Sequence, residues 1–218
     1  SARWRASNCR RSCYPQCRRL ARLQSRRIAH HHSVIAKIGL LRARDPQPSP
    51  DGKQLVFVTN RMGMTRLAML DISSDRKGLA EQKDVVFLTP ESGIQYEGPR
   101  CSPDGSKIAV SLWQPGGYKD IWILDRSGAK LDEVMHDRAI DGSAVWSPDG
   151  KTFYFSSDRT GIYNIFAFDL ETRNLYQITN VIGGAFTPAP SPDNRVLAFT
   201  SYSAKGFDVH SIAVDPAS

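Results

Sequence analysis

A chain of 218 residues with 40% hydrophobic side chains can hold one all-β domain, or a smaller domain carrying an extension. Its formal charge of +7 is unevenly placed: residues 1–44 carry twelve Lys or Arg and no acidic side chain, and the remainder carries 17 basic against 22 acidic ones, a net of −5. A mildly acidic body argues against a nucleic-acid-binding face there, and no run approaches the ~18 apolar residues that a membrane-spanning helix needs.

Residues 1–33 read as a basic extension foreign to the fold, with nine Arg and three consecutive His at positions 30–32. Such an arm is a candidate for nucleic acid or anionic lipid. Its aromatic platforms are only Trp4 and Tyr14, however, so no nucleic-acid partner is expected. An Arg- and Ser-rich, acid-poor start also suits an organelle transit segment, whereas the apolar core and cleavage site of a signal peptide are not seen. A chain that begins with Ser is expected to be part of something longer. Cys9, Cys13 and Cys17 would share one face of a helix. They lack C-x-x-C spacing, with His30, His31 and His32 the nearest fourth ligand, so no metal is expected. Val34–Ile38 follows and has strand character. It stands before the first turn as Gln177-Ile178-Thr179 stands before the fourth, which makes it a candidate outer strand of a preceding module or of the last one.

From Ser49 onward one phrase organises the chain. Ser49-Pro50-Asp51-Gly52 returns as Ser102-Pro103-Asp104-Gly105, as Ser147-Pro148-Asp149-Gly150 and, varied, as Ser191-Pro192-Asp193-Asn194, with Asp separations of 53, 45 and 44 residues. Pro presets φ for the first central position, Asp can bond backbone two residues on, and Gly or Asn accepts positive φ. Asp51, Gly52, Asp104, Gly105, Asp149, Gly150, Asp193 and Asn194 are therefore the expected turn residues.

A β-branched or aromatic run follows each turn, at Gln54–Val58, Lys107–Ser111, Thr152–Phe155 and Arg195–Phe199. Such runs suit strands buried on both faces. Next come runs closing in Asp, Arg66–Asp71, Asp120–Asp125, Asn164–Asp169 and Asp208–Asp215, placed 20, 21, 20 and 22 residues after the turn Asp. Val85–Thr89 and Leu175–Thr179 add further strands, as does Ser143–Trp146 just before a turn. Four short antiparallel strands per ~44 residues is the blade of a β-propeller. The expected fold is all-β, with about four four-stranded blades within residues 34–218 and repeats starting near 45, 98, 143 and 187. The last repeat reaches Ser218 without an outer strand of its own. A partial propeller, or a piece of a larger one, is therefore expected.

Over about residues 45–218 these features resemble the TolB-like β-propeller repeats (PD40, WD40-like) of bacterial envelope proteins. The resemblance rests on the Ser-Pro-Asp-Gly turns, the Ser157-Asp158-Arg159-Thr160-Gly161 loop, the strands ending in Asp and the closing Gln177-Ile178-Thr179. It implies a non-catalytic scaffold in the periplasm whose partner is an envelope protein or peptide, with further blades or domains in a longer parent chain. Related propellers also precede the hydrolase domain of prolyl-oligopeptidase-like peptidases. The alternative is thus a substrate-gating propeller of a serine or metallopeptidase whose catalytic domain lies outside this chain. Tyr118–Asp125 and His136–Gly142 look like the multidomain members of this group.

Direct signs of catalysis are missing from the sequence. Neither G-x-S-x-G nor H-E-x-x-H occurs, Gly116-Gly117 and Gly183-Gly184 are isolated pairs, and no cofactor or metal is expected. His136 is the one His in a polar loop with carboxylates, Asp137 and Asp141, close in sequence. In a propeller the loop between second and third strands and the loop between blades emerge at one end. That end is expected to present Arg61, Trp113, Tyr118, Arg159, Tyr163, Tyr202 and Phe207 beside Glu97, His136 and Asp141. Aromatics and Arg are the residue types that carry interface hot spots.

Overall fold

A computed structural model describes residues 42–73 and 81–214; the basic extension, Val34–Ile38 and Asp215 lie outside the described residues. Among the described residues the chain forms four antiparallel sheets, with one 3-10 turn at Gln82–Asp84 and no α-helix. The first sheet runs β1 (Arg42–Pro48), β2 (Gln54–Arg61), β3 (Met64–Asp71), β4 (Val85–Phe87). The second is β5 (Gln95–Cys101), β6 (Lys107–Gln114), β7 (Tyr118–Asp125), β8 (Lys130–Glu133), and the third is β9 (Asp141–Trp146), β10 (Thr152–Ser157), β11 (Asn164–Asp169), β12 (Leu175–Gln177). The fourth has three strands, β13 (Ala185–Pro190), β14 (Val196–Ser203) and β15 (Gly206–Ala213). First strands of neighbouring sheets approach one another, β1 to β5, β5 to β9 and β9 to β13. The sheets therefore fan out as the blades of a β-propeller.

Alternation along the second strand decides which blade each side chain meets. Positions four and six after the turn Asp face the preceding blade, and the intervening ones face the next. Ile108 and Val110 meet Val56, Val58 and Leu67 of the first blade. Phe153 and Phe155 meet Ala109, Ile121 and Ile123 of the second, and Leu197 and Phe199 meet Tyr154, Ile165 and Ala167 of the third. Most of these side chains are fully buried, each Val, Leu, Ile or Phe contributing about 1.5–3 kcal/mol of apolar transfer. The fourth blade differs on its far face, where Val196, Tyr202, Phe207 and Val209 are exposed.

The turns repeat atom for atom. Gly52, Gly105, Gly150 and Asn194 each donate a backbone N–H to the carbonyl of the Ser three residues earlier, at 2.8–2.9 Å, and all four have positive φ, between 56° and 73°. Each Ser hydroxyl donates to the Asp two residues on, and that Ser Oγ accepts the amide that opens the following strand. Pro50 lies beneath Gly105, and Pro103 beneath Gly150, so that successive turns stack.

A second repeated feature lies in the inner strands. Each pairing of an inner strand with its neighbour shifts register at a bulge. At that bulge Asp45, Gly98, Ser143 and Thr187 adopt φ of 49–57°. All four stand six residues before the turn Asp. On the outer side, Thr89 and Thr179 are buried, and their hydroxyl oxygens accept the amides of Leu67 and Ile165, extending the ladder where the outer strand stops.

Candidate functional site

The loops joining second to third strands and the loops between blades do share one end. A parallel bridge links Lys119, at the start of β7, to Ile140, just before β9, and the Ile140 amide donates to Asp158 of the next blade's loop at 2.7 Å. This loop-rich end holds the expected contact residues in four separate groupings.

At the second blade, Glu97 forms an ion pair with Lys119, and the ammonium lies 5.5 Å from the Trp113 ring. Trp113 is partly buried and Tyr118 exposed. Arg61 is exposed at the end of β2.

At the third blade, Arg159 and Asp141 meet each other rather than solvent. Arg159 donates to both Asp141 oxygens at 3.0–3.1 Å and to Ser157 Oγ at 2.9 Å, and pairs with Asp137 at 3.3 Å. Its guanidinium sits 5.1 Å from the Phe166 ring. Asp141 is fully buried and the Arg159 side chain is 14% exposed. Burial pushes the Asp141 carboxyl above the usual range, with the Ser157 and Arg159 hydrogen bonds opposing it. The sequence expectation that Asp141 is presented at the surface is thereby corrected. Its buried place follows from β9, whose first residue pairs with Ser157 inside the sheet.

His136 likewise has different neighbours from those its sequence position suggests. Asp137 and Asp141 are occupied by Arg159, and His136 Nδ1 lies instead 3.2 Å from Glu133 Oε1 and 3.8 Å from Asp120 Oδ2. Asp120 is fully buried at the start of β7. Burial raises the pKa of its carboxyl, against a hydrogen bond from Gln114. Neither Asp120 nor Glu133 was legible as a partner of His136, because they arrive from β7 and β8 through tertiary pairing.

The fourth grouping is aromatic and crosses from the third blade to the fourth. Tyr163 packs on Phe186 with centroids 5.2 Å apart, Phe186 meets Phe207 at 6.4 Å, and Phe207 meets Tyr202 at 4.9 Å. Phe207 is 68% exposed and Tyr202 46%. Phe186 carried no sequence signal, since it stands in an inner strand interrupted by Pro188 and Pro190.

Between the inner strands lies a cavity of ≈ 680 Å³, whose charged lining includes Arg44, Asp45, Glu97 and Arg100. The Arg44 guanidinium holds Asp45 at 2.7 Å, and the Asp45 carboxylate accepts the bulge amide of Gly98 at 3.1 Å. Among the described residues no helix is long and apolar enough to cross a membrane.

Comparison with known proteins agrees with this architecture. The family model described as the TolB beta propeller domain (PD40) matches residues 44–218. An uncharacterized protein of Agrobacterium fabrum is 27% identical over 175 residues, covering 74% of this chain and 58% of that protein. A TolB homolog of Chlamydia caviae is 30% identical over 140 residues, covering 60% and 31% respectively. The chain thus spans less than two thirds of these relatives' own length. Among solved structures, TolB from Acinetobacter baumannii superposes with a TM-score of 0.68 at 22% identity, over 80% of this chain and 41% of that one. A puromycin hydrolase superposes with a TM-score of 0.62 at 15% identity, over 78% and 29%. Identities this low speak to fold alone, but the family match covers all four blades, and the chain belongs to the PD40 family of TolB beta propeller domains.

Proposed function

We propose that this chain is a non-catalytic, protein-binding propeller of the bacterial cell envelope, working in the periplasm and contacting an envelope protein or peptide through its loop-rich end. The observation that carries this reading is the aromatic run Tyr163–Phe186–Phe207–Tyr202, which gathers four rings at the loop ends of the third and fourth blades, Phe207 and Tyr202 exposed and Tyr163 and Phe186 half-buried. Large amphipathic rings that cost little entropy to hold still are the usual anchors of protein interfaces. Arg61, Trp113 and Tyr118 extend the same end toward the first two blades, whereas Asp141 and Arg159 support it from beneath.

A photo-cross-linking residue at Tyr202 tests the reading against one at Pro192 on the opposite end. Specific adducts with an envelope protein are expected from position 202 only. Equal labelling from both ends, or none from either, counts against it.

A second reading is favoured by the superposition on puromycin hydrolase: a propeller that gates peptide access to a peptidase domain outside this chain. Finding G-x-S-x-G or H-E-x-x-H in the adjoining coding sequence decides for the peptidase, and their absence from the complete reading frame decides for the scaffold.

A further inference from the structure

We propose that Asp120, Glu133 and His136 form a binding site for a first-row divalent cation of the Zn²⁺ class on the rim of the second blade. One carboxylate oxygen from each acid and one ring nitrogen of His136 all lie within 4.8 Å of one another. With metal–ligand bonds of about 2.0–2.1 Å, the edge of a tetrahedron of ligands is about 3.3–3.4 Å. The gaps from His136 Nδ1 are 3.2 Å to Glu133 Oε1 and 3.8 Å to Asp120 Oδ2, which bracket that edge. Three ligands leave a fourth position open, and His136, with 72% of its side chain exposed, lies where a cation can enter.

An independent observation comes from the floor of the cluster. Asp120 is fully buried, and its Oδ1, beside the Oδ2 that faces His136, makes no well-formed hydrogen bond among the described residues, only a weak approach from the Asp137 backbone N–H. A buried carboxylate oxygen without a well-formed hydrogen bond is costly, and two carboxylates this close repel each other unless a cation or a proton stands between them. A metal ion held by Asp120 and Glu133 relieves the repulsion, and one that engages both Asp120 oxygens also satisfies Oδ1.

The surroundings hold the ligands in place. Gln114 donates to Asp120 Oδ2 at 2.7 Å, the Trp122 indole N–H to Glu133 Oε1 at 3.0 Å, and Lys130 to Glu133 Oε2 at 2.8 Å. Outer partners of this kind orient metal ligands and tune their basicity. A donor set of one imidazole and two carboxylates suits Zn²⁺ and its first-row neighbours better than Ca²⁺, which takes six or more oxygens. The sequence reading expects no metal. His136 acquires its two acids only when β7 and β8 pair.

The test is calorimetric titration of the full chain with ZnCl₂ and, separately, CaCl₂. Cys9, Cys13 and Cys17 are replaced by Ser in every sample so that the thiols of the extension take no part, and the remaining thiol, Cys101, is common to all samples. Two variants are compared in that background, His136→Ala and Glu133→Gln; Gln keeps an acceptor for Trp122. The unvaried background is expected to bind one more Zn²⁺ than His136→Ala does. Each variant weakens that site about 100-fold or more, since loss of even an outer-shell partner costs 10–100-fold. Zn²⁺ also raises the thermal midpoint of the background and not of the variants. Identical Zn²⁺ isotherms for background and variants, or a site that takes Ca²⁺ in preference and ignores His136→Ala, overturn the proposal. Metal-free melting curves show whether either variant is misfolded. If one is, the other variant's isotherm decides.

Discussion

At the turn end of the propeller, Ser49, Ser102, Ser147 and Ser191 donate to the Asp two residues on at 2.5–2.6 Å, and each turn closes with the same backbone bond. At the loop end no two blades assemble the same side chains. The second blade has the Glu97–Lys119 pair and the acids around His136, the third a buried Arg159–Asp141 pair, and the fourth an open aromatic surface. The electrostatics differ in the same sense. Ser hydroxyls hold the turn carboxylates Asp51, Asp104 and Asp193 below their ordinary pKa, whereas burial lifts Asp120 and Asp141 above theirs. Repetition at one end fixes register from blade to blade. Divergence at the other is tolerable because the loops vary on a scaffold already specified.

The largest effect expected from breaking this contrast is at the loop end. Asp141→Ala leaves the Arg159 guanidinium largely buried beside Phe166 with only Asp137 to pair it. Stranding a buried charge costs about 3–5 kcal/mol, read as a drop in the urea midpoint. Adding Arg159→Met should recover most of that loss, because an apolar side chain of similar volume needs no counter-ion. A loss below about 1 kcal/mol for the single variant would mean that Asp137 and Ser157 suffice.

The turn end is broken more gently. Gly150 has φ of 73° with Pro103 3.5 Å from where a Cβ would stand. Gly150→Val is expected to destabilise by roughly 1–3 kcal/mol, since a β-branched residue resists that conformation. Gly150→Asn should cost less than about 1 kcal/mol, because Asn tolerates the left-handed region and Asn194 already holds the equivalent place in the fourth blade. Equal losses for Val and Asn would separate the turn from its φ requirement.

How much of this was legible follows from how local each feature is. The turns and the second and third strands could be read because their information is contiguous: a four-residue phrase, then alternating apolar positions. The inner strands were harder. Arg42–Pro48 and Ala185–Pro190 contain two Pro each, which ordinarily argues against a strand. The bulge at Asp45 and Thr187 interrupts the ladder there and breaks the period of two. The outer strand Lys130–Glu133 went unseen because it is polar and half exposed. At the loop end, residue types were legible and pairings were not. Arg159 reaches Asp141 across 18 residues and His136 reaches Asp120 across 16, and only the sheet register decides that Asp137 serves Arg159 rather than its neighbour His136.

The opposite pKa shifts at the two ends predict opposite responses to acid. Asp104 is held at about 2, chiefly by the Ser102 hydroxyl and then by Ser106. A lowered carboxyl contributes stability that is complete above its unfolded value and is lost as pH falls through the folded one. Asp104→Asn should therefore flatten the stability curve between about pH 5 and about pH 2. Asp141 works the other way. Its folded pKa is raised, so its contribution is greatest below the unfolded value and declines as pH rises through the folded one. Urea midpoints measured across this range for Asp104→Asn and the unvaried chain decide the matter, and parallel curves would remove the Ser–Asp bond as a source of acid sensitivity.

The smallest effect on stability is expected where the effect on function should be greatest. Phe207 is 68% exposed and touches only Phe186 and Tyr202 among the rings, so Phe207→Ser should change folding stability by no more than about 0.5 kcal/mol. A truncated hot spot, by contrast, commonly costs 2 kcal/mol or more in binding, about a 30-fold loss of affinity, which would erase cross-linking from Tyr202. Val209 is a control on the same face, 81% exposed and outside the aromatic run. If Val209→Ser abolishes the adduct as well, the contact extends over the far face of the fourth blade rather than resting at its loop end. If Phe207→Ser alone abolishes it, the contact belongs to the end where the blades diverge.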